Sequence, residues 1–142
     1  MKTLPSLSFV LVVLGLVGCE TIGSNLQAVK VECDRLTALY VTNKQVKDDA
    51  RSHVKPISRQ PPRYPYDYVD EYYVCVGVMF DVNEGGETED HQLIYSFPET
   101  ASSRYSDEAI KSVMTWRYEP LVESGEAIRR DGIATSITFE VQ

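Results

Sequence analysis

The chain is poor in the residues that build catalytic and metal centres. It has two histidines, His53 and His91, and three cysteines. The histidines fall in a linker and a hairpin. Neither has a second histidine at the close spacing a zinc site uses, so both read as solvated or capping side chains. No Lys-Ser or Lys-Thr follows Gly85-Gly86, which excludes a phosphate loop and leaves a turn. Ser96 and Ser106 lack the strand-to-helix elbow of a nucleophilic serine. The acidic run Glu84 to Asp90 does not follow the ligand spacing of an EF-hand loop. The sequence therefore predicts no enzyme, no cofactor and no metal site.

Positive charge is also scarce. Lys and Arg number 14 against 21 Asp and Glu, a net charge of −7. That balance disfavours nucleic acid and anionic lipid headgroups, which need clustered basic side chains. It leaves room for a basic protein partner. There is no internal repeat and no low-complexity block. Long apolar runs are missing too: the one candidate, Leu4 to Val17, falls short of the ~20 residues that span a bilayer.

That short run has another reading. Lys2 supplies a positive start, Leu4 to Val17 an apolar core, and Leu16-Val17-Gly18-Cys19 its end, the order of a secretory signal. The ending resembles the bacterial lipobox. The resemblance implies a lipoprotein signal peptide over residues 1–18 and lipidation of Cys19. Two or three acyl chains there would hold the chain to a membrane face outside the cytoplasm. By analogy, Glu20 after the cysteine favours the outer membrane over the inner. Cys33 and Cys75 are then left as an even pair, either bridged or reduced.

Along the remaining chain, Leu26, Val29, Cys33, Leu36 and Tyr40 fit a helical stripe. Val29 to Asp34 also alternates like a strand, and Leu39 to Thr42 is rich in strand formers. The first part of this segment leans to helix. Pro56, Pro61, Pro62 and Pro65 then impose an extended lead-in over 58–65. Val74, Val76, Val78, Phe80 and Val82 share one side of a strand, and Cys75, Gly77, Met79 and Asp81 the other. A loop over 83–90 and a partner strand through Leu93 and Tyr95 to Ser96 complete a hairpin. Ser106 is placed to cap a helix whose apolar side is Ala109, Ile110, Val113, Met114 and Trp116. Glu123 to Gly125 reads as a turn, and Ile133 to Val141 as a last alternating strand. Cys75, Gly77 and Met79 are too apolar for a solvated face, so the segment around Cys33 is a candidate cover for them.

Several short motifs on this framework resemble the C-terminal domain of TonB. They are Tyr64-Pro65, Phe80-Asp81-Val82 followed by Gly85-Gly86, Ser96, Trp116-Arg117-Tyr118-Glu119-Pro120, and the final strand. The resemblance covers 61–142, leaving 19–60 as a lipid-anchored tether that is partly helical. It implies an α+β fold: a small antiparallel sheet of about three strands packed on one or two helices. Tyr64, Pro65, Trp116, Tyr118 and Pro120 are its structural positions. It also implies a periplasm-facing protein-binding module of a Gram-negative envelope. A receptor's TonB box, or another peptide segment, would add as a strand along the backbone of Ile133, Ala134, Thr135, Ser136, Ile137, Thr138 and Phe139. Tyr64 and Val69 would flank it. Candidate partners are TonB-dependent outer-membrane receptors. The alternative is a structural envelope lipoprotein that self-associates or scaffolds partners through the same edge, with no transport role. The Pro-rich span of an energy-transducing TonB has no counterpart in 19–60, where Pro56 stands alone.

Overall fold

The computed structural model of the protein describes residues 22–42, 56–66 and 72–141. Their centre is a three-stranded antiparallel sheet of order β3-β2-β7. The elements are α1 (Ile22–Thr37), a π-helical turn (Ala38–Thr42), β1 (Pro56–Ser58), β2 (Tyr73–Val82), β3 (Thr88–Phe97), α2 (Ser103–Met114), β4 (Arg117–Tyr118), β5 (Leu121–Glu123), β6 (Glu126–Ile128) and β7 (Arg130–Glu140). Among the described residues two small ribbons, β1 with β4 and β5 with β6, and an isolated bridge between Glu87 and Arg117 add to the pairing.

Alternation along β2 decides the layering. Val74, Val76, Val78, Phe80 and Val82 are all buried and pack with Tyr105, Ala109 and Val113 of α2, and with Trp116, Tyr118, Ile137 and Phe139. A side chain that leaves water here gains roughly 1.5–3 kcal/mol, so this face is the main core. The opposite face of β2 is closed by α1. Cys33 of α1 and Cys75 of β2 are joined as a disulfide, with Cα atoms 5.9 Å apart. The sheet therefore lies between two helical layers.

The helical reading of 25–37 holds, but its buried stripe ends on Val41, while Tyr40 is 43% exposed. The wider π turn rotates the last residues, so Val41 takes the inner position and Tyr40 leans on Tyr95, ring centres 5.8 Å apart. The second helix starts earlier than Ser106. Ser102 caps it, because Tyr105 is drawn fully into the core and brings the first turn with it. Met114, expected on the apolar side, is 53% exposed at the helix end. The hairpin loop is also tighter than 83–90. Asn83 Oδ1 accepts from the N–H groups of Gly85 and Glu87, which closes the turn and lets β3 begin at Thr88.

The lead-in is held from α2. Ser112 Oγ and Trp116 Nε1 both donate to the Gln60 carbonyl, at 2.5 and 3.0 Å. Tyr118 packs 5.9 Å from Phe80, and its N–H donates to Gly86 O. Gly86 has φ +83°, and a Cβ there would lie 2.0 Å from the Tyr118 carbonyl oxygen. Only glycine allows the turn and the Trp116-to-Pro120 segment to meet this closely.

Candidate functional site: the outer edge of β7

Among the described residues no strand lies beyond β7 or beyond β3. These two edges differ. Against β2, β7 runs in unbroken register from Glu140, opposite Tyr73, to Ile133, opposite Phe80. The β3 ladder is interrupted twice, between Gly77 and Val78 and between Met79 and Asp81, and Asp90 sits at φ 51°. Bulges twist an edge away from further pairing. The regular edge is that of β7.

Its backbone polarity follows from one bond. Val141 N–H donates to Tyr72 O at 3.1 Å, one step beyond the Tyr73–Glu140 pair. Inward-bonded and outward-facing pairs alternate in an antiparallel ladder. Phe139 and Ile137 thus turn their N–H and C=O groups toward β2, whereas Ser136, Thr138 and Glu140 turn theirs away. The side chains divide likewise. Ile137 and Phe139 are 7% and 3% exposed in the core, with Ile133 packed against it. Ala134 is buried on the α1 side.

Two fixtures hold the strand. On the core side Tyr64 meets Phe139 and Tyr105, ring centres 6.1 and 6.0 Å away. On the α1 side a hydroxyl cluster spans the sheet. Tyr95 of β3 and Thr37 of α1 both donate to Ser136 Oγ, at 2.9 and 3.1 Å. Tyr95 reaches β7 only because its ring crosses Gly77 of β2, where a Cβ would lie 2.3 Å from the ring. Lys30 of α1 adds an ion pair to Glu140 at 2.6 Å and lies over the Tyr73 ring at 5.0 Å. The hydrogen bond to Glu140 raises the Lys30 pKa.

Of the other expected positions, Trp116 and Tyr118 are buried, Pro65 is half-buried and Pro120 exposed. Burial pushes the Tyr118 pKa up. Cys19 and Val69 lie outside the described residues. Among the described residues no group of His, Cys, Asp and Glu is arranged to hold a metal ion. The Thr37–Tyr95–Ser136 cluster is absent from the sequence reading. Its one legible trace is Gly77, since a glycine inside a strand marks the close approach of another group.

No protein-family model matches the chain. Over 90 residues it is 32% identical to Protein TonB of Pseudomonas aeruginosa (strain PAO1), a stretch covering 62% of this chain and 25% of that protein. The solution NMR structure of the Pseudomonas aeruginosa TonB C-terminal domain aligns with a TM-score of 0.52 at 27% identity, covering 64% of this chain and 89% of that one. The chain carries a TonB C-terminal-like domain. The match to TonB spans a quarter of that protein's length. In this TonB C-terminal-like domain a disulfide fastens α1 across the sheet face opposite α2.

Proposed function

We propose that the chain is a lipid-anchored, periplasm-facing binding module that captures an extended segment of another envelope protein by strand addition along β7. The observation that carries this reading is the contrast between the two sheet edges: β7 offers a continuous register, whereas β3 is broken by bulges. The outward peptide groups of Ser136, Thr138 and Glu140 would form the new ladder. Main-chain bonds give such a complex its affinity, and alternate side chains give it its selectivity. Relationship to TonB makes the TonB-box segments of outer-membrane receptors the first partners to test. Cys19 would supply the anchor in the envelope of a Gram-negative bacterium, with Glu20 favouring the outer membrane. An edge of this kind also serves self-pairing.

The test is an amide NMR titration of the full chain in detergent micelles with TonB-box peptides from the same organism's receptors. Strand addition predicts shifts concentrated at Ser136, Thr138 and Glu140, with β3 unmoved. Shifts confined to β3, or none at millimolar peptide, would refute it. Concentration-dependent dimerisation without peptide shifts would assign the edge to self-association. Metabolic labelling with palmitate, lost in Cys19→Ala, tests the anchor.

A further inference from the structure

Arg129 and Arg130 adjoin in sequence and end in opposite environments. On β7, Ile133 lies opposite Phe80 and Arg130 opposite Val82, so Asp81 alone faces Asp131 and Gly132. Gly132 takes φ 68°, and its N–H donates to Asp81 Oδ1 at 2.6 Å. One extra residue in a strand switches the facing of those beyond it. Arg130 is thereby turned to the face of Val82, and Arg129 to the other. Arg129 meets Asp81, Asp90 and Asp131 at 2.5, 2.6 and 2.7 Å, and Glu89 as well.

Arg130 meets none of these acids. It is 3% exposed. Its Nε has no hydrogen-bond partner, and its Nη2 donates to the Glu119 carbonyl at 3.5 Å, the outer limit of such a bond. The guanidinium lies over the Tyr118 ring at 5.4 Å. Arg59 lies over the same ring at 5.8 Å and over Trp116 at 4.9 Å. Lys30, Arg35, Lys111 and Arg117 each hold a glutamate. In a chain with an excess of acids, two arginines lie over one aromatic ring, and among the described residues neither forms an ion pair with an acid.

A charge withdrawn from water is costly unless it is paired and hydrogen-bonded. Contact with the ring offsets part of that cost, and a second cation nearby adds to it. The planar guanidinium fork matches a carboxylate. We infer that Arg130 and Arg59 form a carboxylate-binding site beside Tyr118 and Glu119, at the end of β7 where the strand begins. The site does not depend on strand addition. Where a segment does add along β7, its acidic side chain or its C-terminus is the source of the carboxylate.

The test follows the arginine Nε–Hε resonances of the full chain in micelles, at fixed ionic strength. The probes are N-acetylglycine for a chain terminus, N-acetylglutamate N-methylamide for a side chain, the matching glutamine derivative, and inorganic phosphate. The expected result is a saturable shift of the Arg130 signal with the carboxylates and none with the glutamine derivative. Preference between the first two probes identifies the source. Arg59→Gln, at an exposed position, should weaken the effect about tenfold. An Arg130 signal that does not move, or that moves equally with the glutamine derivative, would overturn the inference, as would saturation by phosphate alone. Amide shifts at Ser136 and Thr138 report strand addition separately, so either reading can fail alone.

Discussion

Replacing Gly77 by alanine tests the coupling between α1 and β7. The new methyl would lie 2.3 to 2.8 Å from three atoms of the Tyr95 ring, well inside contact distance, so the ring must leave. Overpacking of this kind costs about 1–3 kcal/mol. A displaced Tyr95 also loses its bond to Ser136, worth about 1 kcal/mol, and its contact with Tyr40, worth about 0.5–1 kcal/mol. Gly77→Ala should therefore destabilise by roughly 3 kcal/mol, a large part of the roughly 5–15 kcal/mol typical of a domain. Tyr95→Ala removes the ring by another route. With the ring gone, the added methyl has nothing to strike, and alanine in a strand is favoured over glycine by about 0.5–1 kcal/mol. The double variant should then be as stable as Tyr95→Ala alone, or slightly more so, giving a coupling energy of about 3 kcal/mol. Urea unfolding followed through Trp116, the single tryptophan and 5% exposed, measures all four corners of the cycle. Additive costs would refute the reasoning, because they would mean that the ring does not rest on Gly77.

Three further outcomes follow from the described geometry. Gly86→Ala should cost about 2–3 kcal/mol or more, since it combines positive φ with a Cβ 2.0 Å from the Tyr118 carbonyl; Gly85→Ala, with one contact at 3.3 Å, should cost far less in the same unfolding assay. Thr88 gives its hydroxyl proton to the Val113 carbonyl, so it accepts from His91 Nε2–H at 3.0 Å. Burial holds the His91 pKa below its ordinary 6.5 despite Asp90 and Glu89. The unfolded chain then binds the extra proton first, so this contribution to stability is full above pH 6.5 and is lost as pH falls toward the depressed value; His91→Gln should flatten that slope in pH-dependent denaturation. Reducing the Cys33–Cys75 bond, which closes a sequence separation of 42, should lower stability by about 3–4 kcal/mol on chain-entropy grounds, with hydrogen-exchange protection lost first in α1.

Elements governed by local alternation are legible from the residues alone. Val74 to Val82 alternates, and its odd and even sides go to the two layers as the period requires. The start of α2 is harder to place, because two serine positions, Ser102 and Ser106, offer the same capping chemistry. Burial of Tyr105, a tertiary event, chooses between them. Where β5 and β6 form a ribbon the residues show only a turn, since three-residue strands carry too little periodicity to register. The edge on β7 comes from family resemblance, and what distinguishes it physically, the bulges in β3, depends on cross-strand register. Arg130 is invisible for a similar reason. Its facing is set by a bulge at Asp131 and Gly132, and strict alternation from Ile133 would place it on the other side.

The bond between Cys33 and Cys75 also decides how the domain would carry a pull. Tension that enters through α1 reaches the middle of the central strand through two sulfur atoms, without passing along the backbone between those cysteines. The proline-rich lead-in therefore bears none of the load as long as the bond is intact. The force is delivered to β2 and shared sideways into β7 through a ladder of parallel hydrogen bonds that must shear together. Reduction would leave α1 held by the Lys30–Glu140 ion pair and the Thr37–Ser136 hydrogen bond. Once these gave way the force would pass along the chain to the lead-in, which among the described residues is held by the two hydrogen bonds to the Gln60 carbonyl and the short ribbon of β1 and β4.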